Sequence, residues 1–510
     1  MKAYQQFTDY IAGVNDILNA MNILNWDART QMPPGGTVAR GHQLATLSGI
    51  AQEKLAADRL QTLLEQAEGE TSSLPEDGIE RRSLLAVREA SNLFRRTPER
   101  LTRELTQLAS EAQQLWGEAR AQNDFAMFTP ALERMVVLQR ELAEVIGYSD
   151  HPYDALINRY EPGMTHSGLN TLFAQIKART LPLLERIRAT TPPRHDFLSR
   201  AFPLEGQRAF GLEVARAFGY DLERGRLDVS LHPFEISFTH DDVRITSRYQ
   251  EHFLPMSLFG TLHETGHALY EQGVAPALSR TALTSDLKGI YAVGGTSFGT
   301  HESQSRLWEN LVGRSTQFWA HWYPRIREVF PTQLEDIDLE TFHRAINRVT
   351  PSLIRVEADE ITYNLHIMLR VELEAALLDG SLAVRDLPEA WNTKMQEFLG
   401  ITPPDVARGV LQDIHWSAGY FGSFPTYTVG NVMAAQFFEA ARTQQPSLER
   451  SLELGDYTPL REFLTEHIYQ HGRRFSPHEL LERATGRGLD AKPYLDYLEK
   501  KFSGLYGLEA

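Results

Sequence analysis

Apolar residues recur every three or four positions along most of the chain, the period of a helix with one buried face. In the first segment Tyr4, Phe7, Ile11, Ile17, Leu18, Met21 and Leu24 keep that spacing, and Met32-Pro33-Pro34-Gly35-Gly36 ends it. A second helix is predicted over residues 37–66, with a polar loop over 69–78. The pattern resumes to about residue 122 and again over 129–146. Residues 168–190 and 196–219 read as two further helices, split by Thr191-Pro192-Pro193. The period then changes to two. Leu227, Val229 and Leu231, then Phe234, Ile236 and Phe238, then Val243 and Ile245 alternate with polar residues, with a turn at Thr239-His240-Asp241-Asp242. This predicts one small β-sheet. Beyond residue 300, helices are expected over 302–322, 337–349, 352–378, 387–399, 403–412, 429–443, 447–454, 458–468 and 477–485. No internal repeat or low-complexity linker interrupts the pattern. The fold class expected is mostly α, with one small sheet beside residues 257–270.

Composition narrows the class of function. The chain has 510 residues, too many for one simple core, and its 42% hydrophobic and 23% charged residues are those of an ordinary globular protein. A net charge of −16 argues against a nucleic-acid or anionic-membrane partner. Cysteine is absent, so any metal ligands must be His, Asp or Glu. No apolar run approaches a membrane span, and residues 1–10 lack a signal-peptide core; the expected compartment is the cytoplasm.

The chemistry sits in Ser257–Tyr270, which contains His263-Glu264-Thr265-Gly266-His267. On a helix His263 and His267 share a face and can present two imidazoles to one ion. Glu264 follows the first of them and can place a general base beside the open coordination position. Two core histidines on a buried helix would leave the same trace, so a third ligand is needed. A metzincin would have Gly and His where this chain has Tyr270 and Gly273. A later acidic ligand remains, with Asp286, Glu302 and Glu309 as candidates.

Six separated motifs then occur in order: His232-Pro233-Phe234, Asp242-Val243-Arg244-Ile245-Thr246, the His-Glu-x-x-His stretch, His301-Glu302-Ser303-Gln304, Ile354-Arg355-Val356-Glu357-Ala358-Asp359, and Gly409-Val410-Leu411-Gln412-Asp413-Ile414-His415-Trp416. With Asn25-Trp26-Asp27 and Met32–Gly36 they make the whole chain resemble the M32 metallocarboxypeptidases of the carboxypeptidase Taq type, a gluzincin family. The stretch between His267 and Glu302 is longer than that family leads one to expect, with the extra residues around 275–299.

The resemblance implies one peptidase unit over 1–510, with approximate sublobes 1–220, 221–430 and 431–510. It implies a two-lobed helical fold with a deep central groove, similar to neurolysin and angiotensin-converting-enzyme-type peptidases. It implies that His263, His267 and Glu302 bind one Zn²⁺, with Co²⁺ as an alternative. Glu264 is then the base, and His415 and Tyr427 donate to the developing oxyanion, with Tyr420 a competing assignment. Arg355 is the first candidate to hold the substrate's C-terminal carboxylate and Arg244 the second; an ion pair between Arg355 and Asp359 is the plain structural alternative. The strand at His232 is expected to pair with the peptide. Asp359 and Asp413 are possible acceptors for the metal histidines' other nitrogens. Peptide substrates, broad specificity and a homodimer also follow from the resemblance alone. The rival functions are an oligoendopeptidase of the same superfamily and a non-catalytic helical protein stapled by a metal.

Overall fold

The computed structural model describes residues 1–508. Helices dominate, and the one sheet has three strands. The chain divides into two compact units, each made of three chain segments. The first comprises Met1–Arg95, Pro193–Ile346 and Met433–Asp490; the second Arg96–Pro192, Asn347–Val432 and Ala491–Ala510. No described helix is long and apolar enough to cross a membrane.

In the first unit, the opening helix Lys2–Thr30 buries Phe7, Ile11, Leu18 and Met21 of the expected stripe and adds Val14, while Tyr4, Ile17 and Leu24 are half-buried. The predicted helix 37–66 is two, Thr37–Ala56 and Asp58–Thr71, because Ala57 takes extended dihedrals between them. The sheet is built from β1 (Gly225–Val229), β2 (Glu235–Thr239) and β3 (Asp242–Ser247) in the order β1-β3-β2. β3 pairs antiparallel with β2 and parallel with β1. Gly225 is required where β1 meets β3, since a Cβ there would lie 2.5 Å from the carbonyl oxygen of Val243. One sheet face buries Phe234, Ile236 and Phe238 with Trp26 of the opening helix. The helix Leu254–Gly273 packs on β2 and β3, and Thr261 donates to Ser247 at 2.9 Å.

Residues 275–299 are tied into the same unit. Ser285 donates to Asn15 at 2.6 Å, and the Asn22 side chain donates to the carbonyls of Ser237 and Ala292 at 2.8 Å each. Ala282, Leu287 and Ala292 join the core of the opening helix.

The second unit is helical. Its helices include Glu99–Gln122, Phe125–Ile146, Pro152–Tyr160, His166–Arg188, Tyr363–Asp379, Leu387–Leu399 and Lys492–Tyr506. Pro152–Tyr160 and Lys492–Tyr506 were not expected from the sequence. Two expected helices are corrected. Residues 352–362 hold only the short 3-10 turn Arg355–Glu357, and the helix starts at Tyr363. Residues 403–412 form turns rather than a helix. In both stretches side chains replace the helical ladder. Asp359 accepts from the backbone N–H groups of Ile361 and Thr362, Asp405 accepts from the Arg408 N–H, and Gln412 donates to the carbonyls of Arg408 and Gly409. Such local bonds compete with helix formation.

Candidate functional site

His263, Glu264 and His267 lie on the helix Leu254–Gly273, with Glu264 buried. Glu302 comes from the helix Phe298–Arg306, which Ser297 caps by accepting from the Thr300 N–H. The two helices cross closely at Gly266. A Cβ there would meet the Gln304 carbonyl oxygen at 2.5 Å, so the glycine of the motif sets the approach.

This crossing gathers donor atoms of His263, His267 and Glu302 within 4.8 Å of one another. Glu302 Oε2 lies 3.6 Å from His263 Nε2 and 3.4 Å from His267 Nε2. Ligands bound at about 2.0–2.1 Å around a tetrahedral ion stand about 3.3 Å apart, so the spacing and the N, N, O donor set suit a divalent ion such as zinc. Among the described residues no other such group occurs. Asp286 is not part of it; its carboxylate accepts from the Gly289 N–H and its backbone bridges Tyr291.

Glu309 takes a different place from the ligand role considered above. The segment Leu307–Val312 is π-helical, with Gly313 N–H donating to Trp308 O. Glu309 Oε2 lies 2.9 Å from His263 Nδ1. Glu309, rather than Asp359 or Asp413, the possible acceptors named from the sequence, is therefore the carboxylate beside His263. A metal-binding histidine commonly gives its other N–H to such a carboxylate, which fixes ring and tautomer. Arg306 holds both acids, at 2.7 Å to Glu302 and 3.3 Å to Glu309.

These neighbours set the charges. Burial alone would raise Glu309, but Arg306, His263 and Arg314 hold it down at about 2. Burial would likewise raise Glu302, yet Arg306 and the histidines keep it well below the usual range. Burial and the neighbouring His301 lower His267 to about 3, which keeps its ring neutral. Burial pushes Glu264 up to about 7; His263 and Arg29 pull against this, while Glu302 and Glu309 add to it. A carboxyl poised near neutrality suits proton transfer.

Arg244 and His232 also belong to the first unit. Arg244 makes a two-pronged pair with Asp242 at 2.8 Å for each bond, over Trp26 at 4.4 Å and Phe238 at 4.7 Å. Its charge has a partner, and its plane holds the opening helix against the sheet. His232 is exposed, just ahead of β2.

Arg355, His415, Tyr420 and Tyr427 belong to the second unit. Arg355 is buried, but its partner is Asp413 rather than Asp359. It donates to Asp413 Oδ1 at 3.0 and 2.9 Å and to the Tyr363 hydroxyl at 3.0 Å. Arg370, fully buried, donates to Asp413 Oδ2 at 2.7 Å and to Gln412 at 2.8 Å. Burial would raise Asp413, but Arg370 and Arg355 hold it far below the usual carboxylate range. His415 Nε2 is 3.2 Å from the Tyr427 hydroxyl, and its ring stacks on Phe424 at 4.4 Å. Tyr420 is 52% exposed, and the hydroxyl beside His415 is that of Tyr427.

Burial, only partly offset by Asp413, lowers His415 to about 3; burial also places His366 well below its usual value. Each of these two rings therefore binds fewer protons in the folded than in the unfolded chain below about pH 6.5, so their own contribution makes stability rise with pH there. In an NMR titration both should keep flat chemical shifts from pH 8 to 5; a transition near 6.5 for either ring contradicts this burial.

Little in the sequence announces the Glu271–His301 contact, at 2.9 Å, or the Asp413 pairing. The seven-residue interval from Glu302 to Glu309 was a usable signal, since two turns return a helix to nearly the same face.

Comparisons with known proteins agree with the geometry. The family model described as "Carboxypeptidase Taq (M32) metallopeptidase" matches residues 6–502. Thermostable carboxypeptidase 1 of Thermus thermophilus is 45% identical over 99% of both chains. Carboxypeptidase 1 of Bacillus subtilis is 39% identical over 98% of both. The crystal structure of the M32 carboxypeptidase from Deinococcus radiodurans superposes with a TM-score of 0.95 at 41% identity, covering 100% of both chains. The chain accordingly belongs to the M32 family of metallopeptidases and is a metal-dependent carboxypeptidase.

Proposed function

We propose that residues 1–510 act as one peptidase that releases single residues, with broad specificity, from the free C-terminus of peptides. Zn²⁺, replaceable by Co²⁺, would be held one per chain by His263, His267 and Glu302, in a cytoplasmic homodimer. The observation that carries this reading is the convergence of those three donors, with Glu264 next to the first. An ion there supplies Lewis acidity that lowers the pKa of water to about 7 and polarises a carbonyl. Glu264, buried and next in the chain to His263, takes a proton from the attacking water and returns it to the leaving amine. Neutral His415, beside the Tyr427 hydroxyl, would donate to the carbonyl oxygen as charge develops on it. Tyr420 and His232 are exposed enough to touch substrate.

For the substrate carboxylate we favour Arg355. Its cluster carries two guanidinium groups against the single carboxylate of Asp413, so it has positive charge to offer. Arg244 already pairs with its own Asp242.

The test compares an N-blocked dipeptide with its C-terminal amide. The free acid should be cut, and the amide at least about 100-fold more slowly, the loss of roughly 3 kcal/mol expected when a buried charge loses its partner. Equal rates would point to an oligoendopeptidase. Cleavage of neither, with metal bound, would point to a stapled binding protein.

A further inference from the structure

We infer that His301 and Glu271 form a brace that orients the metal ligand His267. This rests on reading His263, His267 and Glu302 as ligands. The two histidines are held by different means. Glu309 fixes His263 through its Nδ1 at 2.9 Å. The buried Nδ1 of His267 has no hydrogen-bond partner among the described residues. Instead the His267 ring lies flat on the ring of His301, with centroids 4.4 Å apart and planes 16° from parallel. Turning His267 about its ring torsion would break that stack.

His301 is itself anchored. Its Nε2 donates to Glu271 Oε1 at 2.9 Å. Glu271 stands four residues beyond His267, one turn further along the same helix. Its carboxylate also accepts from the backbone N–H groups of Gly294, at 2.8 Å, and Gly295, at 3.2 Å. Both glycines are needed for this approach. A Cβ on Gly294 would lie 2.9 Å from Glu271 Oε2, and one on Gly295 would lie 2.6 Å from His301 Cδ2. Tyr270 adds an aromatic neighbour to the His301 ring, 5.6 Å between centroids. The brace therefore runs from the metal helix, through the glycine pair Gly294–Gly295, to the residue just before Glu302. His301 is not one of the three converging donors; it is a positioning residue.

The test measures Co²⁺ affinity by chelator competition and the visible spectrum of the Co²⁺ enzyme, for the full chain and for His301→Ala, His301→Phe and Glu271→Gln. Loss of an orienting partner typically weakens metal binding 10–100-fold. His301→Ala should show that loss with altered Co²⁺ bands. His301→Phe, which restores a flat ring, should bind within about threefold of wild type with near-native bands. Glu271→Gln should fall between them. Thermal melting of the metal-free proteins separates loosened ligand geometry from general unfolding. The inference fails if His301→Ala binds Co²⁺ as tightly as wild type with an unchanged spectrum. It fails equally if His301→Phe is as weak as His301→Ala. Should the alanine variant not fold, the phenylalanine variant decides alone: near-native affinity supports the stack, and a tenfold loss refutes it. Metal affinity does not depend on which peptide bond is cut, so failure of the carboxypeptidase reading in the amide comparison leaves this test standing, and the converse holds.

Discussion

Glu264→Gln should bind metal with unchanged stoichiometry and lose about 10²–10⁴-fold in kcat, the range a general base contributes. Glutamine has nearly the same shape as glutamate, so the helix crossing at Gly266 and the three converging donors stay in place. Only the proton acceptor is lost. Elemental analysis beside steady-state kinetics on a free-acid dipeptide checks both halves. Normal turnover would move the base elsewhere. Loss of the ion would make Glu264 a ligand, which its position outside the His263, His267 and Glu302 group does not support. KM should change little, because the lost interaction belongs to the transition state.

Asp413→Ala should destabilise the protein by about 3–5 kcal/mol, the usual cost of stripping the partner from a buried charge. Here two charges are stripped, since Arg355 and Arg370 both rely on Asp413. Urea unfolding gives the number. Asp413→Asn combined with Arg370→Met, which removes one cation together with the acid, should recover part of it. The pH dependence has a definite sign. The folded carboxyl of Asp413 is held far below its unfolded value near 4, so its contribution is present above about pH 4. It is lost as pH falls from there towards the folded value. The gap between wild type and Asp413→Ala should thus stay constant from pH 8 to 5 and shrink below about 4. A gap closing above pH 5 would mean that another group titrates with the pair.

The two predictions draw on parts of the chain that were unequally legible in its sequence. The His-Glu-x-x-His spacing is a local property of one helix, so it could be read directly. The helices at Leu387–Leu399 and Pro477–Thr485 carry the bounds their periodicity gave, and the period-two stretch is a sheet. Residues 352–362 and 403–412 misled because apolar spacing there coexists with side chains that take over the backbone's hydrogen bonds. Asp359 was the obvious partner for Arg355 by proximity in sequence. Its carboxylate is occupied instead by backbone N–H groups, which leaves Asp413, 58 residues away from Arg355, to neutralise it.

By itself, then, the sequence determined the helical character, the place of the sheet, and which helix offers two imidazoles and a base. These follow from side-chain periods of 3.6 and 2 and from neighbours three or four positions apart. Tertiary structure alone decided the parallel pairing of β1 with β3, the turn of Glu309 onto His263, the stacking of His301 on His267, and the sharing of Asp413 by two arginines. Each is a contact between segments far apart in the chain. Such contacts are chosen by competition among many equally plausible charged or aromatic partners, and only burial and geometry in the folded protein settle that competition.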